Sequence, residues 1–390
     1  MAWWSGPIFP RYRFIKQKLL HSDGAGMMGA GLIREEIRGI RPCKHGGGVE
    51  GVRLDFSISL NPLGPPPSIA ASLRRFASDP AGLIHYPDSD SSNPCNVIAQ
   101  SRGVLKEEVL VGNGASELLF MIPLISIEKG DVALIPSPSY GEYGRTVIMM
   151  GGQVCYHQLS RANNFRMDIE SFKREIEVIN PKIVFLCNPN NPTGEYLGRE
   201  DVLEIVESCK QTGSFLVIDE AYADLSLKRW YSDDLIRYGN VIIVRSLTKS
   251  FACAGIRIGY LIADKGVISA LKSVKIPWNV NALAQKLVVS LIDGIEYLNR
   301  SVRLIEREKA YLFGELKRLS LTPFESDANY ILVDLHGRSA ASINEKLLEE
   351  GIYIRDCASF GLPEFARIGI RRHEDNVELV NALKKILEVF

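Results

Sequence analysis

Residues 246–260 read SLTKSFACAGIRIGY. The stretch has one lysine, Lys249, with hydroxyls just before it at Ser246 and Thr248 and a second cation, Arg257, behind it. The remainder is small or apolar. Most lysines are solvated surface residues. An ammonium at a strand end among small side chains has a different use: with its pKa lowered, the amine can form an imine with a carbonyl compound. Ser246, Thr248, Lys249 and Arg257 together put four polar donors within twelve residues. That density suits a phosphate anchored beside the imine.

Outward from this stretch, short apolar runs alternate with amphipathic helical segments. The runs are DVALIPS (131–137), KIVFLCN (182–188), SFLVIDEA (214–221) and NVIIVRSLT (240–248). DVLEIVESCKQTG (201–213) reads as a helix closed by Gly213. Continuous Val/Ile/Leu runs separated by helices predict strands buried on both faces of a mainly parallel sheet, hence an α/β fold. In such sheets ligands bind at the carboxyl ends of the strands. The unusual residues fall there: Asn188 to Gly194, Asp219, and Ser246 to Lys249. Beyond residue 281 the pattern changes to a long helical stretch (282–318), NYILVDL (329–335), a helix (339–350), GIYIRD (351–356), FARIGIRR (365–372) and a last helix (374–389). This reads as a smaller α+β unit. LNPLGPPPSI (60–69) is the most proline-dense stretch and predicts an extended turn.

Composition narrows the classes. The 390 residues suffice for one large or two medium domains, and 46% hydrophobic with 24% charged residues is ordinary for a globular protein. Lys+Arg and Asp+Glu are both 46, so no global pull on nucleic acid or an anionic membrane is expected. No uninterrupted apolar run reaches the roughly 18 residues of a membrane span. Seven cysteines, at 43, 95, 155, 187, 209, 253 and 357, form no C-x-x-C pair. The expectation is reduced thiols, no disulfide framework, no metal site and a cytoplasmic location. MAWWSGPIFPRYRFIKQKLL (1–20) lacks the apolar core of a signal peptide. Residues 1–44 are expected to form an extension with no assigned role.

Other motifs carry chemistry. VIDEAY (217–222) ends a strand with Asp219. Such an aspartate is usually a turn or cap residue, but pyridoxal phosphate needs a carboxylate to keep its ring nitrogen protonated, and Tyr222 could reach the ring hydroxyl. NPNNPTG (188–194) is a rigid loop from which Asn191 can donate. GNGASELL (112–119) is a glycine turn running into a helix, whose first amides would face an anion. The plainer alternative there is a helix cap at Ser116.

In this order, GNGASE, NPNNPTG, DEAY and SLTKSFACAGIRIGY resemble the fold-type I aminotransferase family of pyridoxal-phosphate enzymes, and the resemblance spans about residues 45–390. It implies a large cofactor-binding domain (76–281) with a helix-sandwiched, mainly parallel sheet. It also implies an N-terminal arm (45–75) joined to a small domain (282–390). Lys249 matches the lysine that holds the cofactor covalently and shuttles protons. Asp219 matches the partner of the ring nitrogen, and Tyr222 and Asn191 match the groups that bond the ring hydroxyl. Tyr140, in PSPSYGEY, matches the aromatic stacked on the ring. Ala115, Ser116, Ser246, Thr248 and Arg257 match the phosphate cradle. Tyr86, in HYPD, matches a tyrosine that reaches the neighbouring subunit's cofactor, which implies a homodimer. Arg367 matches the arginine that takes the substrate carboxylate.

Within the family the chain resembles two groups, L-threonine-O-3-phosphate decarboxylases and histidinol-phosphate aminotransferases. HGGG (45–48) leading to LDFSISLNPLGPPPSI (54–69), the run 241–262, PWNVNALAQ (277–285) and IYIRDCASFGLPEFARIGIR (352–371) look more like the former. The expected reaction is therefore decarboxylation of a small phosphorylated amino acid, in cobalamin synthesis. Amino transfer is the alternative, and a non-catalytic cofactor-binding regulator the least favoured reading. Arg355 is expected on the substrate phosphate, with His45 and the amide of Gly47, and Asn191 beside the substrate. For His45 an ordinary loop histidine is an equal reading. Asn93-Pro94-Cys95 and the loop 357–365 depart from the relatives' pattern.

Overall fold

The molecule is described from a computed structural model over residues 33–79, 81–291 and 294–388. Most of the extension, residues 1–32, lies outside the described residues.

Seven strands make the larger sheet: β1 (Val109–Gly112), β2 (Val132–Ser137), β3 (Gln153–Gln158), β4 (Ile183–Cys187), β5 (Phe215–Asp219), β6 (Val241–Ser246) and β7 (Gly259–Ala263). Their order is β1-β7-β6-β5-β4-β2-β3. All neighbours are parallel except β7, which runs antiparallel to β1 and β6. The apolar runs at 131–137, 182–188, 214–221 and 240–248 are β2, β4, β5 and β6. Every residue of β4 and β6 is buried. Edge strand β3 instead alternates, with Cys155 and His157 buried and Gln153 and Tyr156 exposed.

Burial on both faces follows from helices on both sides. Ala133, Ile135, Ile183, Phe185, Val217 and Ile242 point to one side, into a cluster with Leu118 and Ile122. Those last two belong to α1 (Ala115–Ser126), and Tyr143 and Val147 of α2 (Glu142–Met149) join the same cluster. The alternate residues Leu134, Val184, Leu186, Leu216 and Ile218 face a second cluster. It contains Phe172 of α3 (Ile169–Ile179) and Val202, Ile205 and Val206 of α4 (Arg199–Gln211). Each fully buried Leu, Ile or Val contributes roughly 1.5–3 kcal/mol. The period-2 split of the strands therefore fixes which helix lies on which face.

The smaller sheet is antiparallel and has four strands: β8 (Thr322–Pro323), β9 (Tyr330–Asp334), β10 (Arg355–Asp356) and β11 (Phe365–Gly369), in the order β10-β11-β9-β8. GIYIRD divides between two sheets. Ile352–Tyr353 pairs in parallel with Leu54–Asp55, whereas Arg355–Asp356 pairs with β11. The amide of Gly369 donates to the Phe56 carbonyl at 2.9 Å, so the segment around 54–59 is sewn onto this sheet.

Two expectations change in detail. The stretch 282–318 is two helices, Ala282–Leu291 and Ile295–Arg318, rather than one. The turn at 60–69 ends early, because Pro67 opens a helix that runs to Ala77. Proline suits a first helical position, where its missing N–H has no partner to lose.

Candidate active site

SLTKSFACAGIRIGY is the connection between β6 and β7. Its first and fourteenth residues, Ser246 and Gly259, are paired across the two strands, so the segment closes on itself and presents Lys249. Lys249 lies in a single helical turn, Leu247–Ser250. Its Nζ is 5.9 Å from the centre of the Tyr222 ring, and among the described residues no hydrogen-bond or ion-pair partner reaches it. Ser246 Oγ and Thr248 Oγ1 lie 2.7 Å apart, both buried.

These residues border a cavity of about 800 Å³ at the carboxyl ends of β4, β5 and β6. Asp219, Tyr222, Asn191, Tyr140, Ala115, Ser116 and Arg257 line the same cavity, as do Arg355, Arg367 and His45. Two predicted residues do not. The Gly47 amide is spent on Ser57 Oγ at 2.9 Å, and Gly46 lines the cavity in its place. Tyr86 stands outside, 77% exposed, stacked on Trp278 at 4.4 Å.

The local chemistry places each group. In NPNNPTG, two of the three asparagines fix the loop. Asn188 Nδ2 donates to the Leu197 carbonyl at 3.2 Å, and Asn190 Nδ2 donates to the Pro138 carbonyl at 3.0 Å. Asn191 is left to face the cavity, where its Oδ1 accepts from Arg367. The helix α1 begins at Ala115 with Gly114 as its N-cap and no side-chain cap, so Ser116 is not the cap but a first-turn residue. The first amides of α1 are thus free to meet an anion. Gly114 has φ +84°, and a Cβ there would sit 2.5 Å from an Arg257 guanidinium nitrogen. Glycine lets that cation close on the helix end.

Asp219 is buried. Its Oδ2 accepts from Tyr143 Oη at 2.6 Å and its Oδ1 from the Ala221 amide at 3.0 Å. Burial raises its pKa; the Tyr143 and Ala221 hydrogen bonds and the Lys249 charge pull the other way. Across the cavity, Arg355 and Arg367 are direct partners on β10 and β11. Arg355 donates to Ser359 Oγ at 2.8 Å and to the Lys44 carbonyl. Arg367 donates to the Ser57 carbonyl at 2.7 Å and to Asn191. Arg355 Nη1 and Arg367 Nε are buried with no hydrogen-bond partner. Burial, and then the Arg367 charge, lower the Arg355 pKa.

A second cavity, about 890 Å³, is lined by Arg102, Tyr231, Asp233 and Asp234 among others. Its charges are largely committed: Arg102 to Asp224 at 3.9 Å, Asp233 to Arg245, and Asp234 to Arg199 at 2.6 Å. None of the motif residues lines it. The cavity with unspent cations and Lys249 is the candidate site.

Residues 53–384 match the family model for aminotransferases of class I and II. The chain belongs to that family. It is 31% identical to a histidinol-phosphate aminotransferase of Ruminiclostridium cellulolyticum, over 91% of this chain and 98% of the relative. It is 33% identical to a protein of Caldanaerobacter subterraneus subsp. tengcongensis provisionally named threonine-phosphate decarboxylase, over 90% and 95%. The solved histidinol-phosphate aminotransferase of Clostridium acetobutylicum superposes with a TM-score of 0.79 at 27% identity, over 86% of this chain and all of that one. The fold is that of the fold-type I enzymes, and the cofactor is pyridoxal 5'-phosphate. The residues fit it: an amine with no partner among the described residues, a buried carboxylate, and a helix end crossed by an arginine.

Sequence reading missed several residues at the site. Tyr143 bonds Asp219, although SYGEY drew attention only to Tyr140. Ser57 holds Arg367 through a carbonyl, which no side-chain pattern announces. Glu117 accepts from the Asn113 amide at 2.7 Å and from Asn279 at 2.6 Å. That contact ties PWNVNALAQ to the first turn of α1.

Proposed function

We propose that this chain decarboxylates L-threonine O-3-phosphate to (R)-1-aminopropan-2-yl phosphate and CO2, a step of cobalamin synthesis. The supporting observation is the arginine pair. Like charges directly opposite on neighbouring strands are destabilising. Here both guanidiniums bond only neutral oxygens and each keeps a buried donor unused. Such a pair suits a compact dianion, and the proposed substrate carries carboxylate and phosphate on adjacent carbons. Arg367 would fork onto the carboxylate, and Arg355 with His45 onto the phosphate. Three of the four decarboxylase-like segments also contribute lining residues: His45 and Ser57, Ser246 to Arg257, and Arg355 to Arg367.

Bound pyridoxal phosphate supplies an electron sink for the bond that breaks. The chain's residues do the rest. Lys249 Nζ holds the cofactor and returns a proton to the substrate α-carbon. Asp219 keeps the ring nitrogen protonated, and Tyr222 and Asn191 bond the ring hydroxyl. Tyr140 covers the ring face. The amides of Ala115 and Ser116, with Ser246, Thr248 and Arg257, hold the phosphate. Tyr86 would serve a second copy across a homodimer.

The second reading is amino transfer from histidinol phosphate to 2-oxoglutarate. Most of the similar curated relatives carry that name, and on this measure it is the better supported reaction. The test uses purified protein with pyridoxal phosphate. L-threonine O-3-phosphate is added without any oxo-acid, and CO2 and the visible spectrum are followed. Sustained CO2 release supports decarboxylation. No CO2, with bleaching of the cofactor band by histidinol phosphate and recovery with 2-oxoglutarate, overturns it in favour of amino transfer.

A further inference from the structure

Tyr143 is fully buried, stacked on Phe185 with ring centres 4.9 Å apart, and edge-on to Tyr140 at 5.4 Å. Its hydroxyl has a 2.6 Å hydrogen bond to Asp219 Oδ2. The one other hydrogen bond to that carboxylate among the described residues comes from the Ala221 amide. We propose that Tyr143 is a positioning residue for the cofactor, acting through Asp219 and Tyr140. The inference rests on the reading of this cavity as the pyridoxal-phosphate site.

A carboxylate in an apolar surround reverts to the neutral acid unless donors favour its charge. A neutral Asp219 could not hold a proton on the ring nitrogen. The Tyr143 donor stabilises the ionised form, and because Tyr143 cannot rotate away from Phe185, it fixes where Oδ2 points. It leaves Oδ1 to the Ala221 amide and directs the remaining lone pairs toward the cavity. The same ring edge supports Tyr140, the residue matched to the ring-stacking aromatic. One buried side chain thus sets both the charge partner and the stacking partner. The groups around Asp219 are Tyr143, Lys249 and the Ala221 amide, with Cys187, Tyr140 and Tyr330 close by. The Ala221 amide is already spent on Oδ1, the Cys187 thiol on the Pro189 carbonyl and the Tyr330 hydroxyl on the Asn190 carbonyl, so none of these three is free to replace the lost donor if Tyr143 is changed.

The test is Tyr143→Phe in the cofactor-loaded enzyme. Phenylalanine keeps the ring and its stacking and removes only the hydroxyl. A hydrogen bond to a charged group is worth about 1.5–3 kcal/mol, so turnover should fall roughly 10- to 100-fold. The visible band of the bound cofactor should titrate at higher pH, because an uncharged ring nitrogen makes the nitrogen joined to Lys249 more basic. Asp219→Asn alone should move the midpoint the same way, and Tyr143→Phe in that background should add nothing. A midpoint identical to wild type overturns the inference, even if unfolding shows a stability loss, since that marks a purely structural tyrosine. A further shift in the Asp219→Asn background also overturns it. If the wild type itself gives no visible band with pyridoxal phosphate, the site reading fails along with it.

Discussion

Gly259→Ala tests whether the cofactor cradle depends on one missing methyl group. Gly259 opens β7 beneath the start of α1. A Cβ there would lie 2.6 Å from the Ala115 nitrogen, 2.8 Å from the Arg245 carbonyl oxygen and 2.9 Å from the Gly114 carbonyl carbon. All three are backbone atoms, so no side chain can swing aside. Ordinary contact begins at 3.4 Å, so α1 or β7 must move by at least 3.4 − 2.6 = 0.8 Å. Overpacking of this kind costs about 1–3 kcal/mol of stability. One of the displaced atoms, the Ala115 nitrogen, is an amide proposed to hold the cofactor phosphate. Losing one charge-assisted hydrogen bond of about 1.5–3 kcal/mol weakens binding roughly 10- to 100-fold. The assay compares pyridoxal phosphate with pyridoxal, which lacks the phosphate. The variant should lose affinity for the first and keep its affinity for the second. Equal loss for both would point to general loosening of the fold and refute the argument, as would wild-type affinity for pyridoxal phosphate.

Other outcomes follow from the same geometry. Arg367→Lys loses the fork, so under decarboxylation KM for L-threonine O-3-phosphate should rise about 10- to 100-fold; under amino transfer the loss should fall on 2-oxoglutarate and spare histidinol phosphate, which has no carboxylate. Glu195 is buried, and desolvation raises its pKa to about 7 from 4.5. The folded chain therefore binds more protons than the unfolded chain between those values, so stability present below pH 4.5 is lost as pH rises to about 7, by at most about 3 kcal/mol. Glu195→Gln should flatten that slope in urea melts run across this range. Trp278, half exposed against Tyr86, would lie at the contact between copies in the proposed homodimer, so there Trp278→Asp should yield a monomer in sedimentation and lower turnover.

Much of this was legible in sequence because it is local. Ile183–Cys187 and Val241–Ser246 read as strands from continuous apolar composition, and each is buried throughout. Asp219 stood out because it ends such a strand, and Lys249 and Asn191 because they lie in the segments just after one; strand order then carries them into one cavity. What failed to show was whatever depends on neighbours distant in sequence. Gln153–Gln158 is an edge strand whose mixed composition hides it. Gly259–Ala263 continues the lysine segment, but its antiparallel direction follows from the tight return between Ser246 and Gly259. The role of Tyr143 needs the 76-residue separation to Asp219 to be closed by the fold. Ser57 acts through a carbonyl, which every residue has.

The reaction type is harder to read for a physical reason. The lysine, the carboxylate and the phosphate cradle are carried by the large sheet, and the two arginines by the small one. The bond that stands perpendicular to the cofactor ring loses its electrons to it. Which bond that is depends on the angle between the ring and the line joining the substrate's two anions. In the proposed site Tyr140, Asp219 and Tyr222 would hold the ring, and the register that places Arg355 opposite Arg367 would set the anion line. A shift of that register by one residue would send either arginine to the other face of its strand while leaving every motif intact. The difference between a decarboxylase and an aminotransferase would then be carried by the seating of the small sheet on Phe56 and Ser57. Displacing the Ser57 carbonyl, as Gly46→Ala would by placing a Cβ within clashing distance of that oxygen, should thus alter the ratio of CO2 release to amino transfer more than it alters cofactor binding.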